Sequence, residues 1–390
     1  MFAENQSVIR HYFDWAATAP QDNISPSTDD IPAVTADKVP FGNPSSRHFE
    51  GRSAKEALES ARSRCAAVLG IKPETLYFTS GGTEANCISL FSNLLRPAGR
   101  ITCSLAEHPS ITENVDVLNK LGKPTGKLPV DVFGRLSPEI LEKILEKYSD
   151  TRYAAIMYVN NETGAINNIK SINDFFKNNK KPVHFHCDMV QAAGKIPIDL
   201  SFCDSASFSA HKIGGPRGIG LLYLRRNCEV LYSGGGQERK IRPGTENTLG
   251  ALAMAHCLEK HAASNIIETE YAKALSRMKY LMDAIDKTGR CVIIPAERKE
   301  NEDIFSPYIL QAAFMEIPGE VMVRALDDLG FAISTGSACS SSTSERPVLK
   351  AMGIDEKTMR CGIRISQGWS TTDEEIDFLA DAIKKTLAAL

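Results

Sequence analysis

The sequence predicts an α/β protein: a largely parallel sheet covered by helices on both faces, followed by a smaller α+β unit. Three observations carry that expectation. From about residue 53 onward, short apolar runs alternate with amphipathic helical stretches, the pattern of repeated βαβ units. The runs are short and mix apolar with small residues, which suits strands covered on both faces. After "NTLGALAMAHCLEKHAAS" (247–264) the rhythm changes to a long charged helix and fewer strands, so a boundary is expected near 255–265.

Each element has its own signal. In "SAKEALESARSRCAAVLG", Ala54, Leu58, Ala61, Cys65 and Val68 share one helical face and Gly70 stops the helix. The runs "TLYFTS", "RITCS", "YAAIMYV", "PVHFHCD", "SASFSA" and "GIGLLYL" read as strands, with "SPEILEKILEKY" among the helices between them. Beyond the boundary come a charged helix at about 266–288, strands in "CVIIP", "YILQAAFMEI" and "FAIST", and a last helix opened by a Thr372/Glu375 capping box. Only residues 20–40, rich in Pro, Ser and Asp, read as a loose surface excursion.

Composition narrows the function. With 390 residues, 43% hydrophobic and 24% charged, the chain can bury a substantial core. A net charge of −3 argues against nucleic acid as a specific ligand. No apolar stretch approaches the roughly 20 residues of a membrane span, and the first residues lack the order of a signal peptide. The ten cysteines are scattered without a CxxC pair, so no metal site is expected; most read as buried thiols, suited to a reducing cytoplasm.

Three motifs point to one ligand. "SFSAHKIGGPRGIG" ends an apolar strand at Lys212 and runs into a glycine-rich turn, with small residues around the amine. An isolated lysine at a strand end is usually just solvated; here the surroundings favour a partly desolvated amine able to form a Schiff base. "HFHCDMVQAAGK" sets Asp188 at a strand's C-terminal end, a place for either a helix N-cap or the partner of a pyridinium nitrogen. "FTSGGTEAN" is strand, double glycine and helix, where Gly82, Thr83 and the first helical N–H groups offer an anion site. Most such turns bind nothing, but the three together fit a phosphorylated aldehyde, pyridoxal 5'-phosphate. Separately, "STGSACSSSTSERP" puts Cys339 in a run of small polar residues with no apolar neighbour to bury it.

Together with "YFDWAATAP", "FGNPSS", "EHPSI", "VNNETGAI", "RPGTEN" and "IRIS", these motifs make the chain resemble, nearly end to end, the cysteine desulfurases of the iron–sulfur-cluster type in the class V aminotransferase group. The resemblance implies the fold of pyridoxal-phosphate-dependent transferases of the aspartate aminotransferase kind: a large domain at 14–258 with a mostly parallel seven-stranded sheet, and a small one from 1–13 and 259–390. It implies conversion of L-cysteine to L-alanine, with the sulfur passing to Cys339 as a persulfide and then to an acceptor such as an iron–sulfur scaffold protein. Lys212 would carry the cofactor, Asp188 would pair with its ring nitrogen, and His108 would stack on the ring and assist proton transfer. Asn161 and Gln191 would lie near the phenolate oxygen. Gly82, Thr83, Ser209 and His211 would hold the phosphate, joined by Thr245 of a second subunit in a homodimer. Arg364 would grip the substrate carboxylate, with Asn43 also on the substrate side.

The chain departs from the family pattern in a shorter run after Cys339, in Trp369 where an arginine is common, and in the proline-rich 20–40 segment. Selenocysteine lyase and class V transamination of another amino acid stand as alternatives. A binding protein on the same fold, or a cofactor-free thiol enzyme, fits the intact Lys212, Asp188 and His108 less well.

Overall fold

The computed structural model describes residues 9–22, 41–96, 99–178, 182–336 and 346–390. Most of the 20–40 segment lies outside them, and so does Cys339. The chain opens with β1 (His11–Tyr12) and α1 (Phe49–Val68). The ring of His48 accepts the N–H of Gly51 to start α1, and Gly70 ends it at φ +65, the left-handed stop of a helix C-terminus.

Then come β2 (Leu76–Thr79), α2 (Gly82–Phe91), β3 (Arg100–Ser104), α3 (Pro109–Lys120), β4 (Thr125–Leu128), α4 (Pro138–Lys147) and β5 (Thr151–Ala155). They are followed by α5 (Ile169–Lys177), β6 (His184–Asp188), β7 (Ser205–Ser209), β8 (Gly220–Leu224) and α6 (Thr248–His261). The strands form one seven-stranded sheet in the order β2-β8-β7-β6-β5-β3-β4. Every neighbouring pair is parallel except the two that involve β8. Consequently β2, β3, β5, β6 and β7 all end at one edge, and β8 begins there. β2, β7 and β8 are buried at every position; β2 and β8 are mostly apolar, whereas β7, "SASFS", buries three small serines beside Ala206 and Phe208. β4, "TGKL", alternates half-buried and buried residues at the sheet margin, and its polar sequence gave no strand signal.

α1 packs on α6 through small residues on one side, Ala57, Ala61 and Cys65, against Met254, Ala255 and Leu258. Burying one such Leu or Met side chain contributes about 1.5–3 kcal/mol. One polar group crosses this layer: Arg62, 2% exposed, forms a two-point ion pair with Glu238, and Glu238 also accepts the N–H of Phe78 in β2.

The remainder comprises α7 (Ser264–Asp286), β9 (Cys291–Ile294), β10 (Ile309–Phe314), α8 (Gly319–Asp328), β11 (Phe331–Ala332), α9 (Pro347–Ala351), α10 (Glu356–Arg360), β12 (Gly362–Ser366) and α11 (Asp373–Ala389). β12, β10 and β9 form an antiparallel sheet, and β1 pairs in parallel with β11. A second apolar cluster, with Phe13, Leu281, Leu310, Phe314, Ile363, Leu379 and Ile383, lies under this sheet. α11 starts at the capping box read from Thr372 and Glu375. Among the described residues no helix is long and apolar enough to cross a membrane.

Candidate active site

The shared strand edge collects the predicted residues because each follows the end of a strand. β7 runs into Lys212, β6 ends at Asp188, β3 leads to His108, and β2 turns through Gly81 into α2. A cleft of about 500 Å³ opens here, lined by Thr18, Gly82, Thr83, Ser209, His211 and Arg217 among others. Gly81 caps α2 without any side-chain hydrogen bond, so the first N–H groups of the helix face the cleft unclaimed by a cap. The cradle tolerates no larger residue: a Cβ on Gly82 would stand 2.7 Å from Val190 Cγ2, and one on Gly220 would stand 2.6 Å from Gly81 Cα.

Lys212 Nζ donates to the carbonyls of Ala16 and Ala17, both at 2.6 Å. Ala16 O also accepts from Gln191 Nε2 at 2.9 Å, and Gln191 Oε1 accepts from the buried Lys195 Nζ at 3.0 Å. Lysine only donates, so Lys195 fixes which end of the Gln191 amide faces which way, leaving one N–H of Nε2 to turn elsewhere. Burial pushes the Lys195 ammonium down to about 7, and Lys212 and Arg364 push in the same direction. His211 is likewise lowered to about 4, by burial first and then by Lys212, Arg217 and Lys195.

Asp188, 6% exposed, accepts from Asn86 Nδ2 at 2.8 Å and from the N–H of Val190 at 3.0 Å. No helix starts after Asp188, so it is not a helix cap: its Oδ1 instead closes a turn on the N–H of Val190, and each oxygen keeps a further acceptor site. His108 caps α3: its Nδ1 accepts the N–H of Ser110 at 3.1 Å, which places the hydrogen of the neutral ring on Nε2. Burial lowers its pKa, Asp188 opposes the shift, and Lys212 reinforces it. Its neighbour Glu107 is fully sequestered; burial raises its carboxyl to about 8, and Oε2 has no protein partner.

Arg364 lies in β12, 2% exposed, with Nη1 on the carbonyl of Asn161 and Nη2 on Asp14, each at 2.8 Å. Part of the fork expected for a substrate carboxylate is therefore already occupied. Its Nε, with Gln311 Nε2 and Arg346 Nη1, is a buried donor without a protein partner. β12 also supports both flanks of the segment holding Cys339: Ser334 pairs with Arg364 through the backbone, and Arg346 Nη2 donates to Gly362 O.

Two predicted residues stand elsewhere. Asn43 is exposed and accepts the N–H of Ser45, closing its own turn. Thr245 is exposed and does not line the cleft. Trp369 is wedged between Trp15 and His261, its ring 3.8 Å from the imidazole, and His261 binds Asp22 at 2.6 Å. A Cβ on Gly214, two residues past Lys212, would meet both Asp22 and Trp369. The tryptophan therefore braces the turn after the lysine. Sequence reading missed Asn86, Glu107, Lys195, Arg217 and Asp14; all five lie inside quoted motifs, but a motif does not say which polar side chains will meet.

The uncapped helix start, the glycine cradle, the surplus of cations and the acceptor Asp188 together fit a phosphorylated pyridine aldehyde. Comparison with known proteins agrees. The sequence profile of the aminotransferase class-V family matches residues 11–379. The cysteine desulfurase IscS of Dictyoglomus turgidum is 34% identical over 97% of this chain and 95% of its own. A NifS/IcsS protein homolog of Lactobacillus delbrueckii subsp. bulgaricus is 38% identical over 94% of each chain. A solved NifS-like protein superposes with a TM-score of 0.87 at 32% identity, covering 98% of this chain and 100% of that one.

Proposed function

The chain belongs to the class V aminotransferase family, and from that premise we infer that it is a pyridoxal-phosphate-dependent cysteine desulfurase. The observation that carries the reading is convergence: Lys212, Asp188 and the bare start of α2 meet at one sheet edge, although 130 residues of chain separate the first and last of them. When bound, pyridoxal phosphate supplies an aldehyde that captures amino groups and a ring that draws electrons away from the captured amino acid. The protein's part is binding, orientation and proton handling.

The first N–H groups of α2, Thr83, Ser209 and His211 hold the phosphate, and the cations around the cleft offset its charge. Asp188 would accept from the ring nitrogen, and Gln191, whose Oε1 accepts from Lys195, would offer its remaining N–H to the phenolate oxygen, a contact Asn161 would share. Lys212 supplies the amine and takes or returns the Cα proton, while His108 covers the ring. Arg364 presents Nε to the substrate carboxylate. Overall, L-cysteine and the Cys339 thiol become L-alanine and a Cys339 persulfide, a transfer in which every atom is kept. A thiol with an ordinary pKa of about 8.5 is only a few per cent ionised at neutral pH, so attack on sulfur needs a proton acceptor at the site. The substrate thiolate can take that proton, and His108, with its hydrogen on Nε2 and its Nδ1 held by Ser110, would act as a proton donor. The terminal sulfur then passes to an acceptor protein, and Thr245 completes the phosphate site of a second copy. The nine described cysteines are all free thiols, which suits the reducing cytoplasm.

The direct test is to purify the chain, look for the yellow cofactor band and measure alanine and sulfide formed from cysteine. Cys339→Ser should keep the band yet form no persulfide, and mass spectrometry of wild type after one turnover should find the extra sulfur on the Cys339 peptide. Sulfur found first on Cys361, or normal desulfuration by Cys339→Ser, would sink the assignment. Equal turnover of selenocysteine, or keto-acid-dependent transamination without sulfur release, would favour the alternatives.

A further inference from the structure

Beneath Asp188 lies a set of buried polar side chains that the reaction does not use directly. Asn86 is 1% exposed, with Nδ2 donating to Asp188 Oδ2 at 2.8 Å and to Ser110 Oγ at 2.9 Å. Its Oδ1 lies 2.9 Å from His186 Nε2. We propose that Asn86 is the positioning residue that sets both ring contacts of the cofactor at once, holding Asp188 with one amide hydrogen and His108, through Ser110, with the other. This rests on the cofactor reading above and extends it to residues behind the site.

Donor and acceptor counting fixes the arrangement. A carboxylate only accepts, so the nitrogen of the Asn86 amide must face Asp188 and its oxygen must face His186. His186 Nε2 therefore carries a hydrogen. Burial keeps the ring neutral, lowering it to about 3, so Nδ1 is an acceptor. The group facing Nδ1 is Ser205 Oγ at 2.8 Å, and its single hydrogen goes there. Ser205 must then accept from its other two neighbours, His184 Nε2 at 2.8 Å and Ser89 Oγ at 3.0 Å. Ser89 in turn accepts from the hydroxyl of Tyr153 at 2.8 Å. Every hydrogen in the row from Tyr153 through Ser89, Ser205, His186 and Asn86 points toward Asp188.

The second arm follows the same logic. Ser110 Oγ accepts from Asn86, so its own hydrogen points to His108 Nδ1 at 2.8 Å, the atom that already accepts the Ser110 N–H. The ring of His108 is thereby held with its hydrogen on Nε2. Without Asn86, Asp188 keeps the N–H of Val190 as a donor and His186 buries an unpaired N–H. One side chain thus ties the acceptor at the ring nitrogen to the orientation of the histidine ring.

The test uses the full-length protein with and without cofactor. In cofactor-free wild type, ¹⁵N NMR should show His108 with Nδ1 unprotonated and the hydrogen on Nε2; a hydrogen on Nδ1 overturns the proposal without reference to activity. Asn86→Ala should weaken pyridoxal phosphate about tenfold to a hundredfold, the loss expected for a hydrogen bond to a charged group, and should loosen the His108 ring while the Ser110 N–H keeps its tautomer. Ser110→Ala keeps the backbone N–H on Nδ1, so it should leave the tautomer and cofactor affinity near wild type while shifting the His108 ring resonances through loss of the Oγ contact. Asn86→Asp sets two carboxyls against each other, so relative to wild type its cofactor affinity should fall as pH rises and recover in acid. A merely structural residue would give no such profile. Wild-type affinity in Asn86→Ala, or a flat ratio for Asn86→Asp, refutes the role. If Asn86→Ala does not fold, the wild-type tautomer and Ser110→Ala still decide. Wild type that binds no pyridoxal phosphate at Lys212 would instead refute the cofactor reading, a result separable from the His108 spectrum.

Discussion

At Arg364 the sequence suggested a residue dedicated to substrate, and the side chain does more. It is 2% exposed and bound to Asp14 and to the Asn161 carbonyl, so truncation to Ala removes one half of a largely buried ion pair. Such losses cost about 3–5 kcal/mol of stability. Arg364→Ala is therefore expected to lower the melting temperature and to damage the site broadly. Arg364→Lys keeps the charge and loses the fork. It should raise KM for cysteine about tenfold or more, with cofactor content held near wild type. Steady-state kinetics beside an absorbance count of bound cofactor separates the two; equal loss of cofactor in Arg364→Lys would make the residue structural only.

Among the elements, α2 and β6 make different contributions. The anion site proposed at α2 needs a bare first turn packed on the chain just after β6, where a Cβ on Gly82 would stand 2.7 Å from Val190 Cγ2. Gly82→Ala should cost about 1–3 kcal/mol of overpacking and weaken cofactor binding in equilibrium dialysis. Adding Val190→Ala should restore most of it, and no rescue would mean that Val190 is not the obstacle. β6 carries two histidines that burial holds neutral, each lowered to about 3. An unfolded histidine titrates near 6.5, so between these values the unfolded chain binds two protons that the folded chain does not. Stability conferred above pH 6.5 is therefore lost as pH falls toward 3, by up to about 1.4 kcal/mol per unit for each histidine. Glu107 has the opposite sign: it stays protonated in the fold up to about 8, so its contribution fades as pH rises from its unfolded value near 4.5 to that point. Urea midpoints between pH 7 and pH 4 should show the acid loss, and His184→Phe, which keeps an aromatic ring against Tyr153, should make it shallower.

For the whole molecule the expectation is a pair of chains with shared sites. Thr245 sits in an exposed stretch away from its own cleft, and Leu231, Tyr232 and Leu249 near it in sequence expose large apolar side chains. Sedimentation should find a homodimer. Thr245→Ala should weaken the cofactor about tenfold to a hundredfold while leaving the dimer intact. A monomer that is loaded and active would exclude sharing.

The sequence by itself determined what adjacent residues decide. The mostly apolar runs of β2 and β8 read as strands buried on both faces, and Thr372 with Glu375 announced α11 through a bond three residues long. The spacing of "SFSAHKIGG" and "FTSGGTEAN" exposed Lys212 and the anion turn because strand, glycine and helix start are consecutive there. Tertiary structure decided the rest. β4 became a strand although "TGKL" has little apolar signal, because its backbone pairs with β3 at the margin, where burial is not demanded. β8 runs against its neighbours because the turn after Lys212 folds back on β7, and a direction leaves no mark in hydrophobicity. Asn86 meets Asp188 across 102 positions and Arg364 meets Asp14 across 350. A polar side chain shows its chemistry in the sequence, but only the packed fold selects its partner, because burial without a partner is too costly to leave unsatisfied.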